Sequence, residues 1–210
     1  HQHLLACPAG EGRSARRGAS VPITFDESVV ESAALDYLRE IGYATEFGPT
    51  IGPGGIAPER ATWDQVYLLG RLRAAARRIN PDHTDLVDEA VKRLQRAESQ
   101  SEIAENFRVH RLLIDGVPVE SRGPDGQVRT ANVRLIDFDD PGANDWLAVN
   151  QVSISGHKTR RPDVLIFVNG IPLGLLELKN PADSHATLRH AWNQVQTYRA
   201  DIPAVFTPNA

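Results

Sequence analysis

Apolar and polar positions along the chain change their period twice, and those changes divide it. Residues 1–20, HQHLLACPAGEGRSARRGAS, carry no period, as expected of a segment without a packed face. They predict a disordered leader over 1–22. From Thr24 a helical period begins. Val30, Ala33, Ala34, Tyr37, Leu38 and Ile41 recur at three- and four-residue intervals. Thr24 and Glu27 have capping-box spacing, and Gly42 supplies a stop. Glu31 falls one position off this seam, in line with Ala34, Leu35 and Leu38. The Gly/Pro-rich stretch 47–61 reads as a loop. Three helical segments follow. The first covers 62–79, with Val66, Leu69, Leu72 and Ala76 inside. The second covers 82–97, with Leu86, Val87, Ala90, Val91 and Leu94 inside. The third covers 101–114, with Ile103, Phe107 and Leu112 inside.

The pattern then shortens to strand length. Strands are predicted over 117–121 and 128–137, around the turn cluster 123–126, and over 146–155 after a loop at 139–144. Residues 160–183, RRPDVLIFVNGIPLGLLELKNPAD, read as two short apolar strands joined at Asn169-Gly170, a dipeptide favoured in hairpin turns. An amphipathic helix over 182–199 follows, with Leu188, Ala191, Trp192 and Val195 inside and Pro203 past its end. This order predicts an α/β fold, with a mixed central sheet flanked by helices and a helical insertion at about 62–114, as one domain over 23–210.

Composition narrows the function classes. With 210 residues the chain can bury a real core. Hydrophobic residues at 41% and charged residues at 24% are ordinary for a soluble globular protein, and a single cysteine fits a reducing cytoplasm, the expected location. No apolar run approaches the roughly 20 residues of a membrane span. Cys7 is the only cysteine, which excludes a disulfide framework, a thiolate zinc site and an iron–sulfur cluster. The histidines, including His83, His110, His157, His185 and His190, show no pair at metal-ligand spacing near a third ligand. A net charge of −4 does not advertise nucleic-acid binding, so affinity for DNA would rest on local clusters such as Arg71, Arg73, Arg77 and Arg78, or on partners. The same arginines equally describe a solvated face. The chain has no methionine and begins at His1, and is read as a piece of a longer product.

Three charged residues interrupt the apolar strands of the hairpin: Asp163, Glu177 and Lys179. Glu177 and Lys179 are two apart, so on a strand they share a face. Two carboxylates and a lysine among Val, Leu, Ile and Phe are costly to bury unpaired. A divalent cation with oxygen ligands would pair the acids and leave the lysine to meet an anion. Gln194 and Tyr198, four apart on the next helix, share a face as well. His157, Arg160 and Arg161 precede Asp163 and are candidates to meet phosphate. One geometric condition follows. A strict two-residue turn pairs Val168 with Ile171, which sets Asp163 opposite Leu176 and away from Glu177. A longer loop or a one-residue bulge before Glu177 is therefore predicted, and Pro172 and Gly174 suit one.

Pro162-Asp163 followed by Glu177-Leu178-Lys179 resembles the PD-(D/E)xK nuclease signature. The fuller run through 183, with NQVQTYRADIP after it, resembles the N-terminal nuclease domain of the type I restriction endonuclease R subunit, and the likeness covers about residues 25–208. The resemblance implies a restriction-endonuclease-like core. It implies Mg²⁺ held by Asp163, Glu177, the backbone carbonyl of Leu178, and Glu31 from VESAALDYLREIGY. Read from the residues alone, Glu31 is a boundary glutamate reaching for water. Lys179 would contact the attacked phosphate. Gln194 and Tyr198 match the Q-x-x-x-Y motif of RecB-like nucleases, which orients the site and touches the DNA backbone. The resemblance also implies double-stranded DNA as substrate, cut without local sequence preference, with methyltransferase and specificity subunits as partners. An ATP-driven motor is implied only for the full subunit, since no G-x-x-x-x-G-K-[ST] loop is present here. Two other readings stand beside it: a catalytically silent DNA-binding or docking module on the same fold, and a RecB-like repair exonuclease.

Overall fold

The computed structural model describes residues 27–122, 126–180 and 187–208. The expected leader, Thr24, His185 and most of the 123–126 turn cluster lie outside them.

Four strands make the sheet that positions the site. They are β1 (Ala44–Phe47), β4 (Trp146–Asn150), β7 (Val164–Val168) and β8 (Ile171–Leu176), in the order β1-β4-β7-β8. β1 runs parallel to β4, while β4–β7 and β7–β8 are antiparallel, so the sheet is mixed as predicted. Two smaller ladders join β2 (Val117–Arg122) to β3 (Val128–Val133), and β5 (Ile154–Ser155) to β6 (Thr159–Arg160). The helices are α1 (Glu27–Glu40), α2 (Gly48–Ile51), α3 (Leu69–Ile79), α4 (Val87–Gln95), α5 (Glu102–Asp115) and α6 (Leu188–Asp201).

The middle strands are apolar on both faces because both faces are covered. Leu147, Val149, Leu165 and Phe167 belong to the main core with Leu72, Ala76 and Val91. Ala148 and Val164 face the other way, onto Leu35 of α1, with Leu38, Ile166, Leu176 and Leu178 around them.

Several sequence expectations need correction. The helix expected from 62 starts at Leu69, and residues 61–68 form turns. Arg60, only 3% exposed, explains this. Its guanidinium donates to the carbonyls of Trp63, Gln65 and Ser153, which ties the loop down in a non-helical path. The helix expected from 82 opens with a 3₁₀ turn, Pro81–Leu86, before α4. The strand expected over 146–155 breaks after Asn150, where Gln151 takes a left-handed φ of 57°, and the strand expected to 137 stops at Val133. β1 was not foreseen.

Three helices are also rotated from expectation. On α1 the inward stripe is that of Glu31, Ala34, Leu35 and Leu38, while Tyr37 and Ile41 are exposed. On α5 Ile103 and Phe107 are exposed, and Glu105, Val109 and Leu113 are buried. On α6 Leu188 and Trp192 are exposed, and Tyr198 is the buried residue.

The hairpin meets the register condition by the bulge and not by a longer loop. Asn169 and Gly170 have φ of 52° and 78°, the left-handed pair of a two-residue turn. A side chain at Gly170 would meet the Leu68 carbonyl oxygen at 2.4 Å, so only glycine fits. Val168 pairs Ile171 and Phe167 pairs Pro172, but Ile166 pairs Gly174. Leu173 is the extra residue of a bulge. Beyond it Val164 faces Leu176, and one step further the same register sets Asp163 beside Glu177.

Candidate active site

β4 and β8 end, and β7 begins, at one end of the sheet, since each pair is antiparallel. That end gathers Asn150 and Gln151 after β4, Asp163 before β7, and Glu177 to Lys179 after β8. The first turns of α1 lie over it, and α6 closes it from another side.

Asp163 bridges the two arms of the hairpin. Its Oδ2 accepts the Leu178 backbone N–H at 2.7 Å, and its own carbonyl accepts the Gln151 N–H at 3.0 Å. The Glu177 side chain is 3% exposed. Its Oε1 accepts from Lys179 Nζ at 2.7 Å. Its Oε2 is buried and makes no hydrogen bond of ordinary geometry. Burial, reinforced by the Asp163 charge, pushes the Glu177 carboxyl above its usual range against the opposing pull of Lys179 and a weaker influence of the Tyr198 hydroxyl.

Lys179 is the hub. Besides Glu177 it donates to Gln194 Oε1 at 2.9 Å, and Gln194 Nε2 donates to the Tyr198 hydroxyl at 2.7 Å. Burial alone would lower the ammonium, but the Glu177 hydrogen bond and the charges of Glu177, Glu27 and Asp163 carry it above its ordinary value. Burial raises the Tyr198 phenol to about 12, so it stays protonated at neutral pH.

Glu31 points into the same end. Its Oε1 accepts from Asn150 Nδ2 at 2.7 Å and its Oε2 from Gln151 Nε2 at 2.5 Å. It is therefore clamped by two amides rather than reaching out to water. A hollow of about 140 Å³ lies here, lined by Glu27, Ser28, Glu31, Gln151, Asp163 and Leu178. Glu27 did not stand out in the sequence as a site residue. Its signal was its place one helical turn before Glu31, which puts both acids on one face.

The donor set fits Mg²⁺ under one condition. Among the described residues no three His, Cys, Asp or Glu side chains gather as a metal cluster, so Glu31, Asp163 and Glu177 do not form a three-carboxylate cage. Mg²⁺ does not require one. It keeps several waters and takes one or two carboxylates. Asp163 and Glu177 supply two carboxylates at this end of the hairpin, of which Asp163 lines the hollow and Glu177 does not.

Of the three phosphate candidates, Arg160 has a carboxylate partner. Its guanidinium is paired with Asp201 at the end of α6, with Nε at 2.7 Å, so it serves as a structural tie. Arg161 and His157 are exposed.

Residues 24–210 match the family described as Type I restriction enzyme R protein N terminus. The chain is 34% identical over 187 residues to the type I restriction enzyme HindI endonuclease subunit of Haemophilus influenzae, covering 88% of this chain and 18% of that protein. It is 31% identical over 186 residues to a putative type I restriction enzyme MjaIXP endonuclease subunit of Methanocaldococcus jannaschii, covering 86% and 18% respectively. The chain thus spans under a fifth of the length of these relatives.

Proposed function

Because the chain belongs to the type I restriction enzyme R protein N-terminus family, we propose that it is the cutting module of such an enzyme: a Mg²⁺-dependent endonuclease domain that hydrolyses DNA phosphodiester bonds without reading bases itself. The observation that carries this reading is the convergence of Asp163, Glu177 and Lys179 at one hairpin end, with a buried, unserved oxygen on Glu177.

In this reading Asp163 and Glu177 hold the cation, with the Leu178 carbonyl and Glu31 as further oxygen donors. When bound, Mg²⁺ supplies Lewis acidity at the phosphorus and a more acidic water. Lys179 faces the attacked phosphate and stabilises the negative charge that builds on its oxygens. Gln194 and Tyr198 keep that lysine aimed. In a full-length enzyme this module would work beside an ATP-driven motor, and with methyltransferase and specificity subunits that choose the DNA.

The test is titration calorimetry with Ca²⁺ or Mn²⁺ on the 210-residue chain and its Asp163→Ala variant, beside cleavage of circular plasmid in Mg²⁺. Cation binding that Asp163→Ala abolishes supports the reading, and cutting of a closed circle separates it from an end-dependent exonuclease. Wild-type protein that binds neither cation would favour the silent DNA-binding module.

A further inference from the structure

The charges of this chain are unevenly committed. Arg71 is paired with Glu59 and Asp145, and Arg73 and Arg77 with Asp88. Arg78 donates to the Ala143 carbonyl. The basic helix that looked like a phosphate track in the sequence is therefore spent on internal contacts. Arg39, Lys92, Arg93, Arg108, Arg111, Arg134, Arg160, Lys179 and Arg199 also face carboxylates, and Arg60 faces carbonyls. Among the described side chains, Arg96, Lys158, Arg161 and Arg189 remain without a partner. All four are exposed.

Two of these four, Lys158 and Arg161, flank the candidate active site. Lys158 sits in the turn of the β5–β6 hairpin and Arg161 just after it. Arg161 is two residues before Asp163, so their Cα atoms lie within about 7 Å. The hairpin is fixed to the end of α6: His157 N–H donates to the Asp201 carbonyl at 2.7 Å, and Arg160 pairs with the Asp201 carboxylate. A side chain at Gly156 would meet the Asp201 carbonyl oxygen at 2.3 Å, so that contact is close and rigid. Arg189 stands in the first turn of the same helix. It is five residues from Gln194 and nine from Tyr198, about 140° and 180° around the axis at 3.6 residues per turn, so it points away from Lys179.

We propose that Lys158 and Arg161, at the Asp201 end of α6, form a phosphate track that leads a DNA strand to Lys179. This rests on the reading above that the substrate is DNA. The track answers the charge problem directly. The site is acidic, with Glu27, Glu31, Asp163 and Glu177, and the whole chain carries −4. Attraction must come from cations that are uncommitted and local.

The test is fluorescence anisotropy of a labelled DNA duplex, in EDTA, across a salt series. Each lost phosphate contact lowers the slope of log affinity against log salt by about 0.9. Lys158→Gln/Arg161→Gln is expected to lower that slope by about 2, and to weaken binding at low salt by about tenfold. Arg96→Gln, the matched control on the far end of α4, is expected to leave both unchanged. An unchanged slope in the double variant, an equal loss in Arg96→Gln, or no salt-dependent binding by the wild type would each overturn the track. Binding without metal keeps this separate from the cutting reading.

Discussion

Lys179 Nζ lies 2.9 Å from Gln194 Oε1, a contact that joins the loop after β8 to the middle of α6. The lysine is thereby held from two sides, by Glu177 and by an amide that the Tyr198 hydroxyl orients in turn. Lys179→Ala is expected to lower plasmid cleavage by about 10²–10³-fold, the usual cost of removing one donor to a charged transition state. Gln194→Ala leaves the lysine in place but less constrained. Its loss should be smaller, about tenfold, with cation affinity unchanged by calorimetry. Equal losses in the two variants would mean that Gln194 touches the substrate itself.

Glu31 is held by two side-chain amides. Glu31→Ala strips both of their acceptor, at a cost of about 1–3 kcal/mol, seen as a lower urea midpoint without change in the slope of unfolding. Glu31→Gln keeps the shape and removes the charge. A weaker Ca²⁺ affinity in the Gln variant, with a stability loss smaller than in the Ala variant, would assign Glu31 to the cation. Unchanged affinity in both variants would make it a purely structural clamp.

Glu105 tests the electrostatics away from the site. Burial acts to raise its carboxyl, but hydrogen bonds from the Glu98 and Ser99 N–H groups and from Arg108 prevail and hold it below 4.5. Because the folded value is the lower one, its stabilisation is present above the unfolded pKa and is lost as pH falls through the folded value. Glu105→Ala is expected to cost about 3 kcal/mol at neutral pH, since it leaves the Arg108 charge without its carboxylate and two N–H groups unserved. Thermal melts from pH 6 down to pH 3 should show the gap between wild type and variant closing below about 4.5. A gap that is constant across that range would contradict the assignment.

The bulge at Leu173 is the fourth point of test. Pro172→Val/Gly174→Val restores residues that favour an unbroken ladder. A valine at 174 also crowds Ile166, whose Cβ would lie 3.2 Å from even the first added carbon. The strands should slip by one, turning Glu177 to the opposite side from Asp163 and reducing cleavage by at least about 100-fold. Deleting Leu173 in the same background removes the extra residue, restores the opposition of the two acids, and should recover activity. Wild-type cation binding in the double variant would show that the ladder does not depend on Pro172 and Gly174.

The sequence made plain what depends on local pattern. The α/β order, the packed face of α4, the Asn169-Gly170 turn and the need for a bulge all follow from period and turn chemistry. What it hid was set by single polar anchors. Periodicity ranks apolar residues, so it turned α1 toward Tyr37 and Ile41. Glu31, drawn in by Asn150 and Gln151, rotates the helix the other way. Glu105 does the same to α5, and Gln194 with Tyr198 to α6. Arg60 keeps 61–68 from becoming helix. β1 is four residues long, and its partner strand lies about a hundred residues away in the chain, a separation that no window of local pattern spans. The pairing of Arg160 with Asp201 is equally non-local.

In a hairpin closed by two residues, opposed positions are always separated by an odd number along the chain. Asp163 and Glu177 are separated by an even one, and Leu173 absorbs the difference. Changes of length in either arm are therefore harmless in pairs and ruinous singly, unless a bulge is gained or lost with them. The count between the two acids belongs to the motif as much as the acids do, and anyone transplanting this pair onto another scaffold has to transplant the count.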